Sequence, residues 1–175
     1  MDAAHQPHIS CLQRYVRTEA LEDVYAAVSK VLATQHPATW TLTAYKYYYL
    51  PWKGLGLAGI VIRPTDALLD YQQALIDAVA PFSAASGTAA AYFTTPEDPD
   101  IVAPLIEYVG GFVPNQTGKS FSPHVTIGLA TEDYLKTMLA EPFTDFTFSP
   151  AGVSVYQLGN YGVAAKKLKG WSLTE

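Results

Sequence analysis

The stretch "FSPHVTIG", residues 121–128, decides the fold because it reads as a strand with a histidine and a threonine two residues apart. Successive side chains of a strand point to opposite faces, so His124 and Thr126 share one face. The residues expected on the other face are Val125, Ile127 and Leu129. The strand therefore predicts an apolar side against a core and a side that presents an imidazole beside a hydroxyl.

A second stretch, "PHISCL" at residues 7–12, repeats this arrangement near the N-terminus. As a strand, it places His8 and Ser10 on one face and sends Ile9 and Cys11 to the other. The chain thus carries Pro-His-(Ile/Val)-(Ser/Thr) twice. We call residues 7–12 the first motif and residues 121–128 the second motif.

Similar sequence follows each motif. Thr18-Glu19 and Thr131-Glu132 each read as a helix N-cap followed by an acidic residue in the first turn, and apolar residues at helical spacing come next. The first of these helices is expected to turn inward Leu21, Val24, Tyr25, Val28, Val31 and Leu32. Strands are then predicted from Trp40 and from Phe146, so both halves read as motif strand, helix and further strands.

The middle of the chain predicts a strand at residues 57–62, a helix at residues 66–79 that Pro81 closes, and then a long connection. Residues 82–120 are rich in small and polar residues, with a short helix near residues 102–108 and a break at Gly110-Gly111. Such a segment is either a lid over a site or a mobile loop. Residues 5–80 and 121–175 therefore form the two halves of one domain.

The composition restricts the partners. The 175 residues carry a net charge of −5, which argues against a surface for duplex DNA, although a local basic pocket for a small anion is compatible with it. One cysteine, Cys11, excludes an internal disulfide, and no apolar run is long enough for a membrane span. We expect a monomer that is cytoplasmic if the chain is complete, and an exported form stays open if a leader has been removed.

Two imidazoles that face each other across a cleft suit the cleavage of a phosphodiester. One acts as the base that activates the nucleophile, and the other as the acid that protonates the leaving oxygen. Ser10 and Thr126 then donate hydrogen bonds to the non-bridging phosphate oxygens. This chemistry needs no metal or other cofactor, and a metal site would require a further ligand where each motif has a hydroxyl.

The paired motifs resemble those of the two-histidine phosphoesterase superfamily, in particular its bacterial 2′-5′ RNA ligase-like and cyclic phosphodiesterase branch. The resemblance covers most of the chain and includes "WTLTAYKYYYLPWKGLGLAGIVI", "VYQLGNYG" and "AAKKLKGW". It implies an α+β fold, bilobal and pseudo-two-fold, in which antiparallel sheets line a central cleft and helices pack outside. It also implies His8 and His124 as the catalytic pair, with Ser10 and Thr126 as phosphate ligands.

The resemblance implies a metal-independent hydrolase for a 2′,3′-cyclic, 1″,2″-cyclic or 2′-5′ phosphodiester of a small nucleotide or an RNA end. Two features depart from the family pattern: the first motif begins almost at the N-terminus, and Ser10 replaces the commoner threonine. A binding module that recognises RNA ends or cyclic nucleotides without turnover is the alternative function. A structural protein that has kept the fold is a third.

Other residues offer weaker signals. Tyr45, Tyr47 and Tyr49 are predicted on one face of a strand, with Lys46 and Tyr48 on the other. Lys46, Tyr48 and Arg14 are candidate contacts for an anionic substrate. His5 and His36 lack the motif and read as surface residues. Gly54–Gly59 matches a dinucleotide fingerprint, but a strand rather than a helix follows it, so we interpret it as a turn.

Overall fold

The structure, a computed structural model, describes residues 6–174, so His5 lies outside the described residues. The chain folds as a mixture of helices and antiparallel strands, as the sequence predicts at this level. Its helices are α1 (Leu21–Gln35), α2 (Asp66–Val79), α3 (Ala103–Gly110), α4 (Phe112–Asn115) and α5 (Glu132–Ala140). Its strands are β1 (Leu42–Trp52), β2 (Leu55–Ile62), β3 (His124–Thr131), β4 (Phe146–Phe148), β5 (Gly152–Leu158) and β6 (Ala164–Ser172).

Strands from both halves of the sequence form one four-stranded antiparallel sheet in the order β3-β2-β1-β4, while β5 and β6 form a separate hairpin. The turn between β1 and β2 consists of Lys53 and Gly54, both with positive φ, which suits a tight hairpin. The prediction of a turn in the glycine-rich stretch is confirmed. The second motif therefore pairs with a strand from the first half of the chain.

One face of the four-stranded sheet, the core face, is buried against helices. Leu135 and Met138 of α5 pack there against Ala58, and the rings of Tyr47 and Tyr49 join them. At the other end of the core face, Leu68 of α2 and Phe121 pack against β1, β2 and Val125. The opposite face, which carries His124 and Thr126, is called the site face below.

The helices α1 and α2 pack together, and apolar residues of the β5–β6 hairpin complete their core. Val24, Val28 and Val31 of α1 are buried, as predicted, but Thr18 is not the N-cap of α1. A 3-10 turn at Thr18–Ala20 precedes the helix, and no side chain caps it. By contrast, α2 has the predicted bounds, because the Thr65 hydroxyl accepts a hydrogen bond from Leu68 N at 3.2 Å.

Residues 82–120 are packed against the rest of the chain. Tyr92, Leu105 and Val109 share a buried cluster with Tyr15, and the hydroxyls of Tyr15 and Tyr92 are 2.6 Å apart. Asn160 anchors the segment as well, because its amide oxygen accepts from Val102 N at 3.1 Å. The predicted short helix is present as α3. No helix among the described residues is both long and apolar enough to cross a membrane.

A single buried amide joins the two motif segments to α2. Gln72 is 1% exposed; its Nε2 donates to the carbonyls of Cys11 at 3.0 Å and Gln116 at 3.2 Å, while its Oε1 accepts from Gly118 N at 3.2 Å. Cys11 belongs to the first motif, and residues 116–118 lead into the second. The Gln72 side chain therefore provides hydrogen-bond partners for three backbone groups, two carbonyls and one N–H, outside the regular helices and sheets.

We predict that Gln72→Leu lowers the free energy of unfolding by at least about 2 kcal/mol, because it strands buried backbone groups at roughly 1–3 kcal/mol each. Urea denaturation measures the change. The matched control is Gln73→Leu on the same helix, where the side chain is exposed and donates a hydrogen bond to Asp77. A Gln72 variant as stable as the control would show that the amide is not a structural link.

Candidate functional site

An antiparallel bridge between Ile9 and Val125 brings the two motifs side by side. One residue to either side of this bridge, antiparallel geometry sets His8 opposite Thr126 and Ser10 opposite His124. Both bridge residues pack on the core face. The two imidazoles and two hydroxyls therefore share the site face. The two histidines are diagonal neighbours, and the Cα atoms of such a pair are about 7–8 Å apart.

The first motif is not the full strand that the sequence predicts. It is an extended segment with one bridge to β3. Pro7 has no N–H to donate, which removes one possible ladder bond next to His8. The site geometry depends on this single bridge and on the packing of Ile9 against the core.

Both imidazoles are held in the same tautomer by the same local contact. His8 Nδ1 lies 2.9 Å from the carbonyl oxygen of Gln6, and His124 Nδ1 lies 2.8 Å from that of Ser122. A carbonyl can only accept, so each Nδ1 must carry the hydrogen. Each Nε2 is left as the ring atom that exchanges protons with a ligand. The equivalence of the two contacts extends the sequence repeat to the level of single hydrogen bonds.

Tyr48 of β1 adds a fifth side chain to the two imidazoles and two hydroxyls. Its ring crosses Gly59 on the intervening strand and meets the imidazole of His124 edge-on, with 5.0 Å between ring centroids. A methyl group at Gly59 would overlap the Tyr48 ring and would lie 3.0 Å from the carbonyl oxygen of Val125. Glycine at this position therefore allows a tyrosine two strands away to reach the second motif.

The hydroxyl of Tyr48 is buried and has no hydrogen-bond partner among the described residues. Burial raises the pKa of Tyr48 to about 12. The Thr126 hydroxyl lies close enough to offset part of this rise, although the pair lacks the geometry of a formed hydrogen bond. Tyr48 thus keeps its proton at neutral pH and holds an unused donor next to Thr126.

Burial raises the pKa of Tyr108 in α3, and an electrostatic interaction with Tyr108 adds to the raised pKa of Tyr48. No sequence pattern singled out Tyr108.

Lys46 lies on the site face, as predicted. It pairs with Val61, which in turn pairs with His124, so Lys46 stands two strands from the imidazole. Its side chain is exposed, with Nζ 5.3 Å from the centre of the Tyr45 ring. An anion bound beside His124 would lie within reach of this long side chain.

The predicted face of Tyr45 is wrong. A bulge between Ala44 and Lys46 makes Tyr45 an extra residue in β1 and breaks the alternation. Its ring packs against the guanidinium of Arg63, 4.5 Å from the ring centre, and not with Tyr47 and Tyr49.

Arg14 is not brought to the imidazoles. Its Nη1 donates to the carbonyl oxygen of Ile76 at 3.3 Å, in the last turn of α2, and Arg17 donates to the carbonyls of Pro81 and Ser83 just beyond it. Cations are favoured at this negative end of a helix. Arg14 therefore has a structural partner, and its predicted contact with substrate finds no support.

The thiol of Cys11, in the first motif, is not a candidate nucleophile. Burial raises the pKa of the Cys11 thiol to about 12, so it holds its proton at neutral pH.

Among residues 6–174, no three His, Cys, Asp or Glu side chains come together as a group that could hold a metal ion. Two cavities of about 210 Å³ are present, one beside Arg14 and one beside Tyr134, and neither is lined by His8 or His124.

We predict that Gly59→Ala destabilises the protein by about 1–3 kcal/mol, because the added methyl group must displace the Tyr48 ring. Thermal and urea unfolding measure the loss. Gly110→Ala is the matched control, since a methyl group there meets nothing within 4 Å. Equal stability of the two variants would contradict the close packing of Tyr48 over β2.

Comparison of the chain with protein-family models, with curated proteins and with solved structures finds no match in any of the three.

Proposed function

We propose that the chain is a metal-independent phosphodiesterase of the two-histidine type, acting on a cyclic or 2′-5′ phosphodiester of a nucleotide or an RNA end. The observation that carries this proposal is the Ile9–Val125 bridge, beside which lie two imidazoles with the same Nδ1 contact and two hydroxyls. A histidine alone in a strand has many structural uses. Two of them, related by a local two-fold arrangement, supply both halves of an acid/base reaction.

The bilobal arrangement is part of the proposal. In this proposal the four-stranded sheet with α5 corresponds to one lobe, and the first motif with α1 and the β5–β6 hairpin corresponds to the other, while α2 packs against both. The proposed cleft would follow the line where the two motifs meet.

The reaction proceeds in one displacement. Nε2 of one imidazole takes a proton from water, the water oxygen bonds to phosphorus, and the bond from phosphorus to one ribose oxygen breaks. Nε2 of the other imidazole gives its proton to that oxygen, leaving a phosphate monoester. The two imidazoles have then exchanged protonation states, and proton exchange with water restores them.

The hydroxyls hold the charge that develops on the non-bridging oxygens. Ser10 and Thr126 each donate one hydrogen bond, and the unused hydroxyl of Tyr48 provides a third donor beside Thr126. A ligand oxygen beside Thr126 would give the Tyr48 hydroxyl a partner, which it lacks among the described residues. Lys46 adds a positive charge at the edge of the site.

We expect His8→Ala and His124→Ala each to lower turnover by roughly 10²–10⁴-fold, because each removes a proton-transfer group. The assay is hydrolysis of 2′,3′-cyclic nucleotides and 2′-5′-linked dinucleotides in EDTA. The wild-type rate should follow a bell-shaped pH profile that each variant loses on one side. His36→Asn, a change at an exposed histidine in the left-handed conformation at the end of α1, is the control.

Retained activity in either variant would refute the acid/base roles. Binding of nucleotides by the wild type without product in any assay would favour the alternative, a binding module on the same fold.

Thr126→Val tests the phosphate contact separately, with an expected loss of about 10²–10³-fold in kcat. Full activity in that variant would remove Thr126 from the site.

Tyr48→Phe separates function from stability. The variant loses a buried hydroxyl that bonds none of residues 6–174, so its free energy of unfolding should stay the same or rise. Its turnover should fall roughly 10- to 100-fold, because a hydrogen bond to a charged group contributes a free energy that corresponds to a change of this size. Tyr71→Phe is the matched control, because its hydroxyl is also buried without a partner but lies in the α1–α2 core. Equal activity of the two variants would rule out the third donor.

A further inference from the structure

Three leucines form a row across the sheet next to the candidate site. Leu50 of β1 pairs with Leu57 of β2, which pairs with Leu129 of β3. The neighbouring row on the same face consists of Tyr48, Gly59 and Thr126. We call the first set the leucine row.

Leu129 belongs to this row because β3 contains a bulge. The register shifts so that Gly59 pairs with Thr126 and Ala58 with Gly128, which leaves Ile127 as the extra residue. The sequence predicts Leu129 on the face opposite His124, and that prediction is wrong. The bulge instead returns Leu129 to the site face, where it is 60% exposed.

The leucine row forms an apolar surface beside polar groups. Leu50 is 55% exposed, and Leu55, one step further along β2 on the same face, is 39% exposed. A single exposed leucine is ordinary, but several aligned across neighbouring strands make a contiguous patch. A contiguous exposed apolar patch marks a site of interaction, and the polar groups beside this one are those proposed to bind the phosphate.

We propose that the leucine row binds the face of the substrate's nucleobase, and that this makes the enzyme prefer purine substrates. This inference rests on the proposed function. Two residues along a strand span about 7 Å, a distance comparable to the separation of phosphate and base across a ribose. A phosphate held by Ser10, Thr126 and Tyr48 therefore places its base over the row.

Leucine offers no hydrogen bond, so this surface cannot read the edge of a base. It distinguishes ligands by the apolar area they cover, which is larger for a purine than for a pyrimidine. The row thus selects by size, and adenine and guanine are bound alike through it.

The test compares the double variant Leu50→Ser/Leu129→Ser with the wild type on three substrates: 2′,3′-cyclic AMP, 2′,3′-cyclic CMP and a base-free methyl riboside 2′,3′-cyclic phosphate. We expect kcat/KM for the purine to fall about tenfold, mainly through KM, less for the pyrimidine, and not at all for the base-free compound. Both leucines are exposed, so the fold should tolerate the change. Leu139→Ser, at a leucine on α5 that is 45% exposed, is the matched control.

An equal loss on all three substrates, or no loss on any, would overturn the inference while leaving the proposed function intact. Calorimetric binding of adenosine 3′-monophosphate gives a second readout that needs no turnover. Binding that the double variant loses, in a wild type without turnover, would support the row and refute the reaction. Absence of both binding and turnover would refute both. Self-association of the wild type that the double variant abolishes would assign the row to a second copy of the chain and overturn the inference.

Discussion

One buried amide links α2 to the segments that carry the two motifs. Gln72 projects from α2 between two stretches of chain far apart in sequence and satisfies a carbonyl just after Ser10 and two backbone groups shortly before the second motif. Neither stretch belongs to a regular sheet at that point. A buried backbone group without a partner costs free energy, so the amide fixes where each segment lies as well as stabilising it.

The backbone itself orients the two motif imidazoles. Each motif histidine donates from Nδ1 to the carbonyl two residues before it, a contact that requires only an extended chain. No carboxylate is needed to choose the tautomer. The bridge between Ile9 and Val125 then sets the spacing, and the core behind it holds the bridge in place. Each motif hydroxyl shares a face with its histidine because the strand period is two residues.

The sequence predicted some elements well for local reasons. The bounds of α2 were predicted correctly because its apolar residues recur at helical spacing up to Pro81, and the structure adds the Thr65 cap at its start. The site-face positions of His124 and Thr126 followed from alternation over three residues. Alternation failed over longer stretches, at Tyr45 and Leu129, because each of these strands contains a bulge. A bulge depends on the packing of neighbouring strands, which a single strand's sequence does not encode.

By itself, the sequence determined the paired motifs, the chemistry that two imidazoles and two hydroxyls can perform, and the mixed character of the fold. These are properties of residue type and local spacing. Only the tertiary structure decided that Arg14 serves the end of α2, that Tyr48 reaches across Gly59 with an unused hydroxyl, and that Leu129 joins the site face. Each of these results from contacts between distant parts of the chain, where packing and the satisfaction of buried polar groups outweigh local pattern.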